Sequence, residues 1–511
     1  ASQRYATPRR LAVLIRELQA QQPDRDIDRL GPTISAAFDQ QGKPTKAAQG
    51  FARSCGVAVN ELDRSAKGGV EKLAFLSKEP GKPTQDLLPR LVQDAIAQLP
   101  IPKRMRWGAS REEFVRPVHW AVMMFGEEII PALLVGVEVD RFSYGHRFSA
   151  NKKIIINSAK DYEELLEEKG GVIPDFKKRK DLIRQLVEDE GSGAGGTAVI
   201  DEALLDEVTS LVEYPVALTG QFDEDFLEVP SEALILTMKS HQKCFYLIDK
   251  QDKLLPKFIT VSNLVSKDPS QVVEGYERVI HARLADARFF YESDKKQSLE
   301  SRAKRLSKVV FQEELGTVYD KSQRMAALAS TIAEWISADM TVCARAASLS
   351  KCDLLTLMVG EFAELQGLMG YYYALHDGEP KELAQALNEQ YMPRFSGDDL
   401  PSSKTGIALA LADKLDSLVG IFGIGQPPTG SKDPFALRRS AIGVLRIIVE
   451  RELDLDLLDC IKQAVHGFKG IKLAEDTTGE VFEFLLERFK AWSIDEGVTA
   501  EEFQSVFAVK P

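Results

Sequence analysis

The segment from residue 409 to residue 448 constrains the fold of this 511-residue chain more than any other stretch. It reads as an apolar helix, a loop rich in glycine and proline, and a second helix. The first helix carries Asp413 and Asp416 within its apolar run. Three glycines are predicted to break this helix: Gly420, Gly423 and Gly425. A segment of this composition is not interchangeable with an ordinary core helix.

The second helix of this segment is predicted to begin at Asp433, with Asp433 as its N-cap and Pro434 in its first turn. Arg438 and Arg439 then lie near the positive end of the helix dipole, where a guanidinium group gains nothing from the helix. Both arginines therefore require an anionic partner. The two carboxylates of the preceding helix and a bound phosphate are both open as that partner.

Length and composition indicate an ordinary globular protein of about three or four domains. Hydrophobic residues make up 44% of the chain and charged residues 28%. No apolar run reaches the roughly 18–20 residues of a membrane span, and the amino end lacks the apolar core of a signal peptide. The cytoplasm is therefore the expected location. The five cysteines form no CxxC pair, so neither a disulfide framework nor a zinc site is predicted.

The formal net charge of −12 argues against a protein that binds nucleic acid through overall basicity. Local basic patches remain compatible with RNA, although each is also compatible with a solvated helix face. Three such patches are present: Lys103, Arg104 and Arg106 around Trp107; Arg302, Lys304, Arg305 and Lys308; and Arg278, Arg283 and Arg288.

The predicted secondary structure changes along the chain. Strand-like runs such as LAVLI, KKIIIN and PVALTG alternate with helical stretches up to about residue 290, and helical periodicity dominates afterwards. We therefore expect a multidomain protein with an α/β (α+β) N-terminal half and an all-α, HD-like helical domain in the C-terminal half. The expected domains are an α/β domain at 1–150, a second one at 151–310, the helical domain at 311–450 and a helical connector at 451–511.

His376 and Asp377 form the dipeptide that names the HD hydrolases, in which His and Asp side chains from several helices hold a divalent metal. Asp413 suits the aspartate that this superfamily has on a later helix. No histidine lies between His281 and His376 to serve as the earlier ligand, and the LSKCDL segment offers only a cysteine and an aspartate. The motif is thus interpreted as degenerate, without a metal. The alternative is a helix end, before Gly378, where His376 and Asp377 satisfy each other.

Complete nucleotide-binding motifs are absent from the sequence. The loop at 425–432 has the glycine spacing of a phosphate-binding loop, but its lysine follows the serine and the loop follows a helix. No strand carries the arginine motifs of class II synthetases. Cationic and aromatic neighbours do occur, and they can stack an unpaired base or pack in a core: Trp107, His119 and Trp120. His146 and Arg147 are expected to bind either a ligand or an acidic loop of the same chain.

Seven further segments resemble the beta subunit of the bacterial heterotetrameric glycyl-tRNA synthetase, as does the segment at 409–448, and they occur in the same order. They are TPRRLAVLI (Thr7–Ile15), residues 31–53, LPIPKRMRWG (Leu99–Gly108), FVRPVHW (Phe114–Trp120), GHRF (Gly145–Phe148), ARLADARFFY (Ala282–Tyr291) and LSKCDL (Leu349–Leu354). The chain starts without methionine and ends before the anticodon-binding module of that family, so we expect a fragment lacking both ends.

The resemblance implies a tRNA-recognition subunit that works with a separate catalytic alpha subunit in an α2β2 heterotetramer. The alpha subunit would use ATP and Mg²⁺ to glycylate tRNA(Gly), and this chain would need no cofactor. We expect tRNA contacts at Arg438 and Arg439, with Lys103, Arg104, Arg106 and Trp107 as a second patch. The alternatives are an HD-type metal-dependent phosphohydrolase and a purely architectural subunit without RNA contact.

Overall fold

The computed structural model describes residues 1–66 and 70–509 and divides the chain into two compact units. The first unit contains Ala1–Leu218 and Ile259–Pro269, and the second contains Thr219–Phe258 and Ser270–Pro511. The chain therefore leaves the first unit, returns to it briefly and leaves it again. The expected finer division into four domains stays a prediction.

The first unit combines short helices with small sheets. Its helices are α1 (Ile34–Ala37), α2 (Lys46–Cys55), α3 (Thr84–Ala97), α4 (Tyr162–Gly170), α5 (Phe176–Gly193) and α6 (Glu202–Leu211). Its strands are β1 (Ser2–Thr7), β2 (Arg10–Ile15), β3 (Arg25–Thr33), β4 (Asp63–Ser65), β5 (Lys72–Glu79), β6 (Ala121–Val122), β7 (Met124–Phe125), β8 (Glu128–Ile129), β9 (Leu133–Leu134), β10 (Val137–Asp140), β11 (Phe142–Tyr144), β12 (Lys153–Ile155) and β13 (Thr197–Ala198).

Most of these strands pair with a neighbour in sequence. Strands β1 and β2 form an antiparallel hairpin, as do β7 with β8 and β11 with β12. Strands β3, β5 and β4 form an antiparallel sheet in that order, and β10 lies between β6 and β9. The LAVLI run is confirmed as part of β2, whose outward face exposes Leu11, Val13 and Ile15.

The second unit is mainly helical. Three strands occur near its start in sequence. They are hydrogen-bonded in the order β15 (Phe245–Ile248), β16 (Leu254–Ser262) and β14 (Val216–Gln221). A short hairpin follows, made of β17 (Val310–Gln312) and β18 (Gly316–Thr317). Between Thr317 and residue 509 the described chain has no further strand. The change in secondary structure predicted from the sequence is therefore present, whereas an HD-like arrangement is not confirmed.

The helices of the second unit are numbered α7 to α19. They are α7 (Ser231–Leu236), α8 (Pro269–Asp294), α9 (Leu299–Ala303), α10 (Val318–Trp335), α11 (Met340–Leu349), α12 (Leu357–Glu361), α13 (Leu368–His376), α14 (Lys381–Glu389), α15 (Lys404–Gly423), α16 (Leu437–Glu450), α17 (Leu457–His466), α18 (Thr477–Asp495) and α19 (Ala500–Ala508). Helix α15 is buried on nearly all sides and packs against α10, α11, α14, α16, α17 and α18. A helix that is apolar all round belongs in such a central position.

The expected break of this helix at Gly420 is wrong, because α15 continues to Gly423. A side chain at Gly420 would place its Cβ 2.9 Å from Leu315 and from Phe468. At Gly423 it would lie 2.6 Å from Leu473. Both glycines thus serve close packing inside the helix, and only Gly425, with a φ of +72°, belongs to the loop.

Two observations concern the chain as a whole. Among the described residues, none of the helices has the length and apolarity to cross a bilayer. All five cysteines are free thiols, and four of them are buried.

Candidate functional site

The two carboxylates of α15 lie in a buried cluster of charges between helices. Lys321, on α10, places its Nζ 3.1 Å from Oδ1 of Asp413 and 3.2 Å from Oδ2 of Asp416. Lys351, in the turn after α11, lies 3.2 Å from Oδ2 of Asp413. Arg324 completes the cluster on the far side of Asp416. Each carboxylate therefore contacts two cations.

Arg324 holds Asp416 with two nitrogen atoms. Its Nε lies 2.7 Å from Oδ1 and Nη2 lies 3.2 Å from Oδ2. The guanidinium group also lies 4.3 Å from the centre of the Phe468 ring and donates to the carbonyl of Leu315. Planar two-nitrogen contacts of this kind suit arginine and carboxylate geometry.

Burial favours the neutral form of both acids and bases, so it acts against every charge of this cluster. Burial opposes the charge of Asp413, but Lys321, Lys351 and Lys414 outweigh it and hold the pKa of Asp413 well below its usual range. Burial lowers the pKa of Lys414 to about 8. Burial likewise lowers the pKa of Lys351, which lies 4.1 Å from the centre of the Tyr391 ring. Asp413 thus remains an anion and cannot serve as a general acid at neutral pH.

The three residues of the degenerate HD motif do not form one site. His376, the last residue of α13, and Asp377 are exposed. Asp377 accepts a hydrogen bond of 2.7 Å from the backbone nitrogen of Leu299 at the start of α9, and its contact with His376 stays a prediction. Asp413 is enclosed by lysines.

A divalent metal does not fit this arrangement. The neighbours of Asp413 are ammonium groups, which repel a cation and donate no lone pair. Across residues 1–66 and 70–509, no group of three His, Cys, Asp or Glu side chains is arranged to hold a metal ion.

Arg438 and Arg439 lie at the start of α16, on the side of the loop that follows α15. Their alternative partners, Asp413 and Asp416, are already paired with Lys321, Lys351 and Arg324, so that alternative is wrong. Arg439 is exposed and donates to the carbonyl of Arg394 at 2.9 Å. The guanidinium of Arg438 has no carboxylate partner among the described residues.

Helix α16 begins at Leu437, later than predicted. The carboxylate of Asp433 still satisfies the helix start, because it accepts hydrogen bonds from the backbone nitrogens of Leu437 and Arg438. Ala436 adopts a left-handed conformation, with φ of +53°, to allow this approach. Asp433 therefore neutralises the positive helix end through backbone nitrogens and does not pair with the side chains of Arg438 and Arg439.

Most side chains of the second predicted patch, at residues 103–107, are engaged within the chain. Arg104 donates to the carbonyls of Ala97 and Leu99 at the carboxyl end of α3. Arg106 pairs with Glu113 at 2.6 Å. Trp107 is half-buried, and the exposed Lys103 has no carboxylate partner among the described residues. Of the three cations, Arg106 has a carboxylate partner, whereas Lys103 and Arg104 have none among the described residues.

The position of Lys321 in the sequence is a signal that predicts the buried cluster. Lys321 occurs on the apolar face of α10, at helical spacing from Met325, Leu328 and Ile332, which are all buried. A lysine in the middle of an apolar helix face requires a buried anion. The pair of aspartates on α15 is that anion.

Comparison with known proteins gives the family of the chain. The sequence profile described as "Glycyl-tRNA synthetase beta subunit" matches residues 1–508. The chain belongs to the glycyl-tRNA synthetase beta subunit family. Relatives named "Glycine--tRNA ligase beta subunit" include one from Chromohalobacter salexigens, 55% identical over 99% of this chain and 73% of the relative. Another, from Ectopseudomonas mendocina, is 53% identical over 100% of this chain and 74% of the relative.

As a member of the glycyl-tRNA synthetase beta subunit family, the chain is a subunit of an aminoacyl-tRNA synthetase, an enzyme of the ligase class. The buried cluster is then a structural feature of a synthetase subunit. Arg438 and Arg439 of α16 have no carboxylate partner among the described residues.

Proposed function

We propose that this chain is the tRNA-recognition subunit of glycine–tRNA ligase. It acts with a separate alpha subunit in the ATP-dependent attachment of glycine to tRNA(Gly). The observation that carries the proposal is the state of Arg438 and Arg439, which lack carboxylate partners while both carboxylates of the neighbouring helix are saturated. Membership in the beta subunit family supports it.

The electrostatic argument follows from the net charge of −12. Arginines without a carboxylate partner, in a protein with an excess of carboxylates, keep a positive charge that an external anion can pair with. The phosphates of tRNA are such anions, and each contact with a phosphate releases condensed counterions. Lys103 is the cation through which the second patch would contribute.

The proposal also divides the chemistry between two subunits. This sequence lacks the motif set of an ATP site, so ATP and Mg²⁺ are used by the alpha subunit and this chain requires no cofactor. The two kinds of subunit form an α2β2 heterotetramer. The phosphohydrolase alternative is disfavoured, because Asp413 is enclosed by two lysines and lies apart from the exposed end of α13.

Reconstitution tests this division. The chain is co-purified with the alpha subunit, and transfer of labelled glycine to tRNA(Gly) is measured for the pair and for each subunit alone. The proposal predicts glycylation by the pair and binding of tRNA by this chain. Glycylation by the alpha subunit alone at the full rate would contradict a role for this chain in recognition.

A further inference from the structure

Three segments of the first unit, far apart in sequence, bring arginine side chains against aromatic rings. The guanidinium carbon of Arg9 lies 5.5 Å from the centre of the Trp120 ring. The Trp120 ring meets the ring of Tyr144 edge to face, with 5.3 Å between centres. Phe148 follows Tyr144 by four residues. The centre of its ring lies 5.8 Å from the guanidinium carbon of Arg147. Tyr144 and Phe148 are four residues apart, so their Cα atoms lie at most about 15 Å from each other.

The loop that carries Phe148 is tightly built. A side chain at Gly145 would meet the carbonyl oxygen of Ala150 at 2.3 Å, so the loop closes only with glycine there. His146 is 1% exposed, and its backbone nitrogen donates to the carbonyl of Gly170 at 2.7 Å. Phe148, in contrast, is 72% exposed. A buried histidine thus anchors a loop that presents a phenylalanine ring to solvent.

The two arginines at this surface have no carboxylate within ion-pair distance among the described residues. Both Arg9 and Arg147 are exposed. Arg10, directly beneath, is different: it is buried and pairs with Glu213 and with the carbonyl of Tyr144. The expectation that Arg147 would bind an acidic loop of the same chain is therefore wrong. Its contact is the aromatic ring beside it.

The hydrogen bonding of His146 leaves one donor available. Its Nδ1 lies 2.9 Å from Oγ of Ser149 and 3.3 Å from the backbone nitrogen of Ser149, a donor, so Nδ1 accepts and the proton lies on Nε2. Nε2 is buried and has no acceptor among the described residues.

We propose that this surface, defined by Arg9, Trp120, Arg147 and Phe148, binds an unpaired segment of RNA. A base stacks on the exposed ring of Phe148, and Arg147 and Arg9 contact the phosphates on either side. Exposed rings beside unpaired cations are the combination that single-stranded nucleic acid requires. The inference rests on the proposed function, since the RNA concerned is the tRNA.

Equilibrium binding of a labelled tRNA(Gly) transcript to the full chain tests the inference. Phe148→Ala is expected to weaken binding about 5- to 100-fold, because one stacked base is lost. Phe148→Trp retains a stacking face and should bind within about twofold of the wild type. Arg147→Ala is expected to reduce the slope of log affinity against log salt concentration by about one.

Two matched controls come from the same chain. Phe395→Ala removes a phenylalanine that is 59% exposed in the second unit. Arg90→Ala removes an exposed arginine that pairs with Asp94 at 3.7 Å. Neither should change the affinity. An unstructured oligoribonucleotide should compete with tRNA for the wild type and compete poorly for Phe148→Ala.

The outcomes separate this inference from the proposed function. If the wild-type chain does not bind tRNA(Gly), both fail. If the wild type binds and Phe148→Ala binds equally well, the inference alone is overturned. If Phe148→Ala keeps its affinity for tRNA and loses the alpha subunit in co-purification, the surface is a protein contact, which also overturns the inference.

Discussion

Lys321 and Asp416 form a buried ion pair between α10 and α15, with Nζ 3.2 Å from Oδ2 and both side chains at most 5% exposed. The pair, together with Arg324, neutralises a carboxylate in the centre of the helical unit. Because these cations neutralise the carboxylates of α15, the carboxylates are not available to Arg438 and Arg439. The positive charges of Arg438 and Arg439 are therefore not compensated by a carboxylate of α15.

Removal of Asp416 is expected to destabilise the protein strongly. Asp416→Ala leaves Lys321 and Arg324 buried without this counterion, and breaking a buried pair from one side costs roughly 3–5 kcal/mol. The measurement is the shift of the urea unfolding transition. As a control, Asp94→Ala removes one side of an exposed pair and should leave the transition unchanged. Equal effects of the two substitutions would contradict the account of the cluster.

Lys414 is expected to make stability depend on pH in the alkaline range. Burial lowers its pKa to about 8, whereas a lysine in the unfolded chain titrates near 10.4. Between these values the unfolded state binds more protons, so the free energy of unfolding rises with pH, by on the order of 3 kcal/mol. The charged groups that face Lys414 are Asp413, Lys351, Lys321 and Asp398.

The variant Lys414→Met keeps those neighbours and removes the titrating group. Urea unfolding at pH 7.5, 8.5, 9.5 and 10.5 should show the wild type gaining stability relative to Lys414→Met as the pH increases. Parallel profiles of the two proteins would show that the ammonium group is not perturbed by burial.

Metal binding at the degenerate motif is expected to be absent. Lys321 and Lys351 surround Asp413, and Asp377 is hydrogen-bonded to the backbone of α9. Elemental analysis after dialysis against manganese, zinc and magnesium should find far less than one equivalent per chain. About one equivalent in the wild type, lost in His376→Ala, would restore the phosphohydrolase alternative.

Amino-acid activation by the isolated chain is also expected to be absent. The loop at 425–432 does not have a phosphate-binding sequence, and no other ATP motif is present. ATP–pyrophosphate exchange with glycine measures activation directly. Exchange should require added alpha subunit, and robust glycine-dependent exchange by this chain alone would contradict the division of labour.

The sequence predicted element types better than element ends. Helical spacing identified α15 and α16, but Gly420 was taken as a break although it lies inside α15. A glycine that ends a helix and one that admits Leu315 and Phe468 have the same local sequence signal. Similarly, Asp433 was predicted as the N-cap of α16, but the N-cap is Ala436, and the Asp433 carboxylate accepts from nitrogens four and five residues later.

The candidate site was less predictable, because ion pairs form between residues distant in sequence. Asp413 and Asp416 were considered only as partners of Arg438 and Arg439, which lie close to them in sequence. The partners are Lys321, Lys351 and Arg324, about 60–95 residues earlier. Only packing of α10 and the turn after α11 against α15 brings them together.

The central claim is that Arg438 and Arg439 bind tRNA phosphates. The measurement is the affinity of the Arg438→Ala, Arg439→Ala double variant for tRNA(Gly) at several salt concentrations, together with its melting temperature. The account predicts weaker binding, a salt slope reduced by about two and an almost unchanged melting temperature. An unchanged salt slope with a lower melting temperature would show that these arginines are structural and would contradict the claim.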